Sequence, residues 1–187
     1  MARSLVVLDI DGVLADVRHR LHLVAGRPKN WDAFFAAADR DEVLEVGAQF
    51  ARQAASSHEV VYLTGRPERV RTATQSWLDR HALPPGGLLM RAEGDRRPSA
   101  VVKLRELHRL RRESSVDLVV DDDLSVVEAA RAAGFTVRHA DWMPTRPLVQ
   151  AASTRDDGLF GTDSTFATDA LFTTDVLHDA QERSGRT

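Results

Sequence analysis

The stretch Leu5-Val6-Val7-Leu8-Asp9-Ile10-Asp11-Gly12-Val13 constrains this chain more than any other. Four apolar residues read as a buried strand, and two carboxylates followed by a glycine mark where that strand ends. In open parallel α/β sheets, ligands bind beyond the carboxyl ends of the strands, so Asp9 and Asp11 are delivered to a crevice. Alternate strand residues point to opposite faces. A chain that leaves the sheet at Gly12 can nevertheless turn so that one side chain and one backbone carbonyl meet a single cation. Taken alone, the same five residues also suit a turn closed by acids, and the rest of the chain has to decide.

A length of 187 residues with 43% hydrophobic residues suits one domain with a small insert or tail. No apolar run approaches the roughly 20 residues that span a bilayer, and the first apolar run is too short for a signal peptide, so no membrane contact and a cytoplasmic location are expected. The chain has no cysteine. Thiolate metal sites and cysteine nucleophiles are thereby excluded, and carboxylates are the expected metal ligands. The formal charge is -3, and from Met143 onward four Arg stand against seven acids, which leaves residues 1–142 neutral. A polyanion would be gripped at a site rather than across a whole face.

Past the first strand, residues 16–29 hold Arg18, His19, Arg20, His22, Arg27 and Lys29, and Asn30 suits the N-cap of a short helix over 31–38 that packs Trp31, Phe34 and Phe35 on one side. Residues 16–45 read as a small cap-like insert beside the crevice. Val43, Val46, Phe50 and Ala54 follow helical spacing, and a second strand over 59–63 runs into Thr64-Gly65-Arg66-Pro67, where a helix with proline in its first turn is expected. A third strand over 88–90 leads through a polar loop to a helix capped by Ser99 and containing Val101, Leu104, Leu107, His108 and Leu110, with Lys103 on it. A fourth strand, 116–120, ends in Asp121-Asp122-Asp123. A helix over 124–133 stops at Gly134, and 135–139 is a fifth strand. This alternation predicts an α/β fold, a parallel sheet of about five strands with helices on both faces. Residues 143–187, rich in Ser, Thr and Asp, read as an extension with a helix over 170–182.

The acids at one strand end, Thr64 at a second, Lys103 on a helix and Asp121 with Asp122 at another strand end follow in the order that resembles the haloacid dehalogenase (HAD) superfamily of phosphotransferases. The stretches Tyr62-Leu-Thr-Gly-Arg-Pro, Gly94-Asp95-Arg96-Arg97 with Val101-Val102-Lys103, and Val120-Asp-Asp with Val126-Val127-Glu128 are similar to the phosphatase domain of phage-type polynucleotide kinase/3'-phosphatases. No Gly-x-x-x-x-Gly-Lys-Ser/Thr loop occurs, so a kinase half is not expected in this chain. The family often carries Thr where Val13 stands and can carry Arg where Asp123 stands.

The resemblance implies a Rossmann-like HAD core over residues 1–142 and a phosphatase chemistry that these residue types suit. Asp9 would attack phosphorus and form an aspartyl-phosphate, and Asp11 would serve as general acid and then general base. Mg²⁺, a hard cation that favours oxygen, would be held by Asp9, the Asp11 carbonyl, and one or both of Asp121 and Asp122. Thr64 and Lys103 would stabilise the phosphoryl group, with Lys103 also orienting Asp9. Gly65, Arg66 and Arg97 would bind substrate, with Asp95 orienting one of the arginines. The implied partner is a phosphorylated substrate such as a DNA or RNA 3' end. A mononucleotide or other small ester is the alternative substrate, and a catalytically silent binding module is the alternative from another class.

Overall fold

The computed structural model describes residues 3–143, and the expectations for residues 144–187 fall outside them. The first strand, β1 (Leu5–Leu8), is buried along its whole length. It lies at the centre of a five-stranded sheet whose other members are β4 (Glu59–Pro67), β5 (Gly86–Arg91), β6 (Val116–Asp121) and β7 (Val137–His139). The order is β5-β4-β1-β6-β7, and every pairing is parallel. Parallel neighbours need crossovers, and the helices supply them. Helices α3 (Glu45–Ala54) and α4 (Arg71–Arg80) bring Ala48, Phe50, Ala51, Trp77 and Leu78 onto the face with Val6 and Leu8. Helices α5 (Ser99–Glu113) and α6 (Leu124–Ala132) bring Leu107, Leu110 and Ala130 onto the face with Leu5 and Val7. Each strand residue therefore feeds one of two cores, as the alternation of side chains requires. Burying such a side chain stabilises the fold by about 1.5–3 kcal/mol.

Between β1 and α3 the chain makes an excursion closed by a two-stranded antiparallel ribbon, β2 (Ala15–Asp16) with β3 (Glu42–Val43). It contains the short helices α1 (His22–Ala25) and α2 (Trp31–Ala36), with 3-10 turns at Arg18–Arg20 and Ala38–Arg40. The Asn30 side chain accepts the Ala33 N–H, as expected of an N-cap.

Four local expectations are corrected. Strand β4 does not stop at Leu63 but runs through Thr64-Gly65-Arg66 to Pro67, which pairs with Arg91 after an irregularity in the register. The helix expected at Pro67 starts only at Arg71, after a 3-10 turn over Glu68–Val70. Val46 and Val101 are about half exposed. On α3 the buried stripe is built on small residues, because a Cβ on Gly47 would lie 1.9 Å from the Val13 carbonyl oxygen, a backbone approach that Val46 could not fill. On α5 the place opposite the sheet end is taken by Lys103, which is buried. Ser99 is the first helical residue, and Pro98 stands in the cap position.

Among the described residues no helix is long and apolar enough to cross a membrane.

Candidate active site

Asp9 continues β1 by one residue, its N–H donating to the Val120 carbonyl at 2.9 Å. Its Oδ1 accepts the N–H of Ile10 at 2.7 Å, which fixes the carboxylate at the sheet end. The chain then winds into a tight loop in which the Leu14 and Ala15 N–H groups both donate to the Ile10 carbonyl at 2.8 Å. Gly12 makes the loop possible. Its φ is +77°, and a Cβ there would stand 2.0 Å from Asp122 Oδ2. Gly12→Ala is therefore expected to push Asp122 out of place and to cost about 1–2 kcal/mol in backbone strain, read as a lower melting temperature together with a weaker response to added divalent cation. An unchanged metal response in a folded Gly12→Ala protein would show that the position of Asp122 is immaterial.

Two clusters of charge meet at this loop. In the first, the Lys103 ammonium bridges Asp9 Oδ2 and Asp121 Oδ2, each at 2.6 Å. Asp9, Asp121 and Asp122 each place a carboxylate oxygen within 4.8 Å of the others. Burial pushes the Asp9 carboxyl well above the usual range; the Lys103 ammonium opposes this, and Asp121, Asp122 and Asp11 add to it. Burial, with Asp121 beside it, pushes Asp122 up to about 6. Burial disfavours the Lys103 charge, yet Asp9 and Asp121 outweigh it and hold the ammonium firmly protonated. Three carboxylates against one ammonium leave two negative charges on buried and half-buried groups, a costly arrangement without a counter-charge. Oxygen ligands with this spacing and this deficit fit a hard divalent cation.

In the second cluster the Asp11 side chain meets two arginines. Arg20 Nη2 donates to Asp11 Oδ1 at 2.8 Å, and Arg66 Nε and Nη2 donate to the same oxygen at 2.9 and 2.6 Å. Both arginines also reach Asp41 at 2.7 Å. Two carboxylates and two guanidiniums balance, so this cluster is neutral by itself. Burial works against ionised Asp11, but Arg66 and Arg20 prevail and hold its carboxyl below the ordinary range. Asp41 is sealed further by His19 Nε2 at 2.8 Å, while its carbonyl accepts the Trp77 indole N–H at 2.8 Å. The Arg20 guanidinium lies 4.1 Å from the centre of the Phe34 ring. Arg66 Nη1 is buried without a hydrogen-bond partner, and the guanidinium lies 5.7 Å from the centre of the Trp77 ring.

Thr64 is buried beside these groups, and its hydroxyl oxygen accepts the Arg66 N–H at 3.2 Å. The Gly65 carbonyl accepts Arg91 Nε at 3.3 Å. The same Arg91 donates to the carbonyls of Asp95 and Arg97, tying the loop after β5 to the end of β4. Arg97 itself is exposed and paired with Asp95 at 2.6 Å, while Arg66 is fully buried in the second cluster. The structure thus brings together Asp9, Lys103, Asp121 and Asp122, and separately Asp11 with Arg66. It leaves Arg97 exposed and outside both clusters. Asp123 caps α6 by accepting the Ser125 N–H at 2.9 Å. Arg20 and Asp41 are the site-forming residues that sequence reasoning did not single out. The only signal was an arginine in a basic stretch after the first strand, and nothing in the sequence pairs it with Asp41.

The model of one family, the polynucleotide kinase PNKP phosphatase domain, matches residues 3–141. The chain belongs to this family. It is thus a HAD phosphatase domain, in keeping with the sheet order and the strand-end acids above. Two solved structures of the Pnkp1/Rnl/Hen1 RNA repair complex contain similar chains. One is 25% identical with a TM-score of 0.60, over 73% of this chain and 42% of that one. The other is 23% identical with a TM-score of 0.63, over 74% and 45%. This chain therefore spans less than half the length of those relatives. The class C acid phosphatase of Bacillus anthracis, solved with tungstate bound, shares the fold at 20% identity and a TM-score of 0.54, over 71% of this chain and 61% of that one. A search of curated proteins returns no match.

Proposed function

We propose that this domain is a Mg²⁺-dependent phosphomonoesterase that works through an aspartyl-phosphate on Asp9 and favours 3'-phosphorylated nucleic-acid ends. The observation that carries the reading is the division of charge at the end of β1, a neutral cluster around Asp11 beside a cluster short of two positive charges around Asp9. Mg²⁺ held by Asp9, Asp121 and Asp122 would supply those charges and reduce the repulsion between a carboxylate nucleophile and an anionic phosphate. Lys103 fixes Asp9 and presents its own charge to the phosphoryl oxygens, and Thr64 adds a hydroxyl. Asp9 forms the new O–P bond as the bond from phosphorus to the leaving alkoxide breaks. Asp11 supplies the proton that the alkoxide takes and later accepts one from the water that cleaves the acyl-phosphate. Held between Arg20 and Arg66, Asp11 rests in the ionised form, the form the second step needs. Its first duty requires it to gain a proton and loosen from those arginines. The family match and the likeness to a chain of an RNA repair complex support a nucleic-acid end as the substrate.

The neutral charge of residues 1–142 favours a second reading in which the same chemistry serves a mononucleotide or another small ester. One comparison decides between them: Mg²⁺-dependent phosphate release from an oligonucleotide with a 3'-phosphate, its 5'-phosphate counterpart, and 3'- and 5'-mononucleotides. Selective release from the 3'-phosphorylated oligonucleotide is expected. Equal or better turnover of the mononucleotides would assign the small-ester role, and no release from any ester would refute the phosphatase reading.

Protons compete with the cation for the same oxygens. Because Asp122 titrates near 6 rather than near its ordinary value of 3.8, the metal-free folded protein takes up a proton that the unfolded chain does not. Its stability therefore rises as pH falls through that window, and the deficit is fully present above it. Added Mg²⁺ removes the deficit only where the carboxylates are ionised. It is expected to raise the melting temperature by several degrees at about pH 7.5 and by much less at about pH 5. An increment that does not change with pH would argue that these carboxylates do not hold the ion.

A further inference from the structure

The insert presents a surface that the chemistry above does not use. Trp31 opens α2 and remains 47% exposed. Its ring is nevertheless held in place, edge-on to Phe34 at 5.6 Å and stacked on Phe35 at 5.8 Å with 20° between the planes. An indole that is half in water but fixed by two aromatic neighbours forgoes burial it could have had. About half of its surface remains open to a ligand.

We propose that Trp31 is a stacking platform for a nucleobase of a 3'-phosphorylated polynucleotide, so that the insert selects strand ends over small esters; this rests on the phosphatase reading. The path to the reacting groups is short. Trp31 touches Phe34, Phe34 lies 4.1 Å from the Arg20 guanidinium, and Arg20 donates to Asp11 at 2.8 Å. The platform and the reacting groups are thus joined through one short series of side chains in and beside the insert. The surroundings suit a strand. Lys29 Nζ lies 5.4 Å from the Trp31 ring centre, and Arg27 is exposed two residues before it. On the loop after β5, Arg96 and Arg97 are exposed. That loop is tied to α2 through Arg69, which pairs with Asp32 at 2.6 Å and with Glu93 at 2.8 Å, so these two acids are already matched. An aromatic platform between cations is the footprint of single-strand binding, tolerant of sequence because every base has a π face. The expected ligand is thus an unpaired base at or next to the 3'-phosphate, in DNA or RNA.

The competing explanation is that Trp31 only supports Phe34 and through it Arg20. Such a role would slow all substrates together. The test compares kcat and KM for a 3'-phosphorylated oligonucleotide, the same oligonucleotide with abasic terminal nucleotides, and 4-nitrophenyl phosphate, in the parent, Trp31→Ala and Trp31→Phe. The ratio of kcat/KM for the oligonucleotide to that for the aryl phosphate should fall roughly tenfold in Trp31→Ala, mainly through KM. It should recover in Trp31→Phe and not change with the abasic substrate. An unchanged ratio, or an equal loss on both esters, would overturn the proposal. Failure of the phosphatase reading would show separately, as no release from either ester by the parent. Equilibrium binding of the oligonucleotide to the parent and to Trp31→Ala then still decides the platform, equal affinities refuting it.

Discussion

Replacing Asp9 by asparagine is expected to abolish phosphate release from every ester, lowering kcat by at least about 10⁴-fold, without unfolding the protein. An amide is a far weaker nucleophile than a carboxylate, and no other side chain takes its place: Lys103 holds Asp9 and Asp121, while Asp11 is turned to Arg20 and Arg66. The fold should tolerate the change because Asp9 belongs to the cluster with excess negative charge. Burial and three neighbouring carboxylates already oppose its ionisation in the metal-free protein, and Lys103 keeps Asp121 as its partner. The melting temperature should stay within about 5 °C of the parent. The measurement is phosphate release beside a thermal melt on the same preparation. Appreciable turnover by folded Asp9→Asn would remove Asp9 from the nucleophile's role, whereas a melt that collapses would show that the site's charges are balanced differently from the account above.

The largest loss of stability is expected from a residue that takes no part in bond making. Asp41→Ala should cost about 3–5 kcal/mol and lower the melting temperature by on the order of 10 °C. The reason lies in the second cluster. Asp41 has no solvent-exposed side-chain surface, and it is the partner shared by Arg20 and Arg66, themselves fully buried. Removing it leaves two guanidiniums facing one remaining carboxylate, that of Asp11, inside the protein. An uncompensated buried charge costs far more than a broken surface pair. The Arg69–Asp32 bridge is the internal contrast, since the Asp32 side chain is 90% exposed and Asp32→Ala should cost under about 1 kcal/mol. Asp41→Asn, which keeps an acceptor but not the charge, should fall between the two. In that variant both arginines lean harder on Asp11 and lower its pKa further, so the acid limb of the pH–rate profile should move to lower pH. Asp41→Ala as stable as the parent would refute this account of the cluster.

Much of this architecture is local and was therefore legible. Leu5 to Leu8 announce a strand because four consecutive apolar residues need cover on both faces, and Asp9 and Asp11 announce its end because acids have no place in that cover. The same logic located Asp121 at the end of β6, and Asn30 marked the start of α2. Family resemblance assigned Lys103 a place beside Asp9 that its charge alone would have denied it.

What the sequence could not determine are the matters that depend on distant partners. Helical spacing grouped Val46 with Val43, Phe50 and Ala54. The fold instead buries Gly47, where two backbones nearly touch, and Lys103, where two carboxylates repay the burial of a charge. Strand β4 outran its apolar run because Pro67 finds a partner in β5. Arg66, read as a hand for the substrate, pairs with Asp11 and Asp41, 55 and 25 residues away, and Asp41 meets Arg20 across 21 residues. Local propensity and periodicity report on the chain's own neighbourhood. Whether a charge is buried and matched, or exposed and free to bind, is decided only when the insert closes on the sheet and the sum of charges in each enclosed space is set.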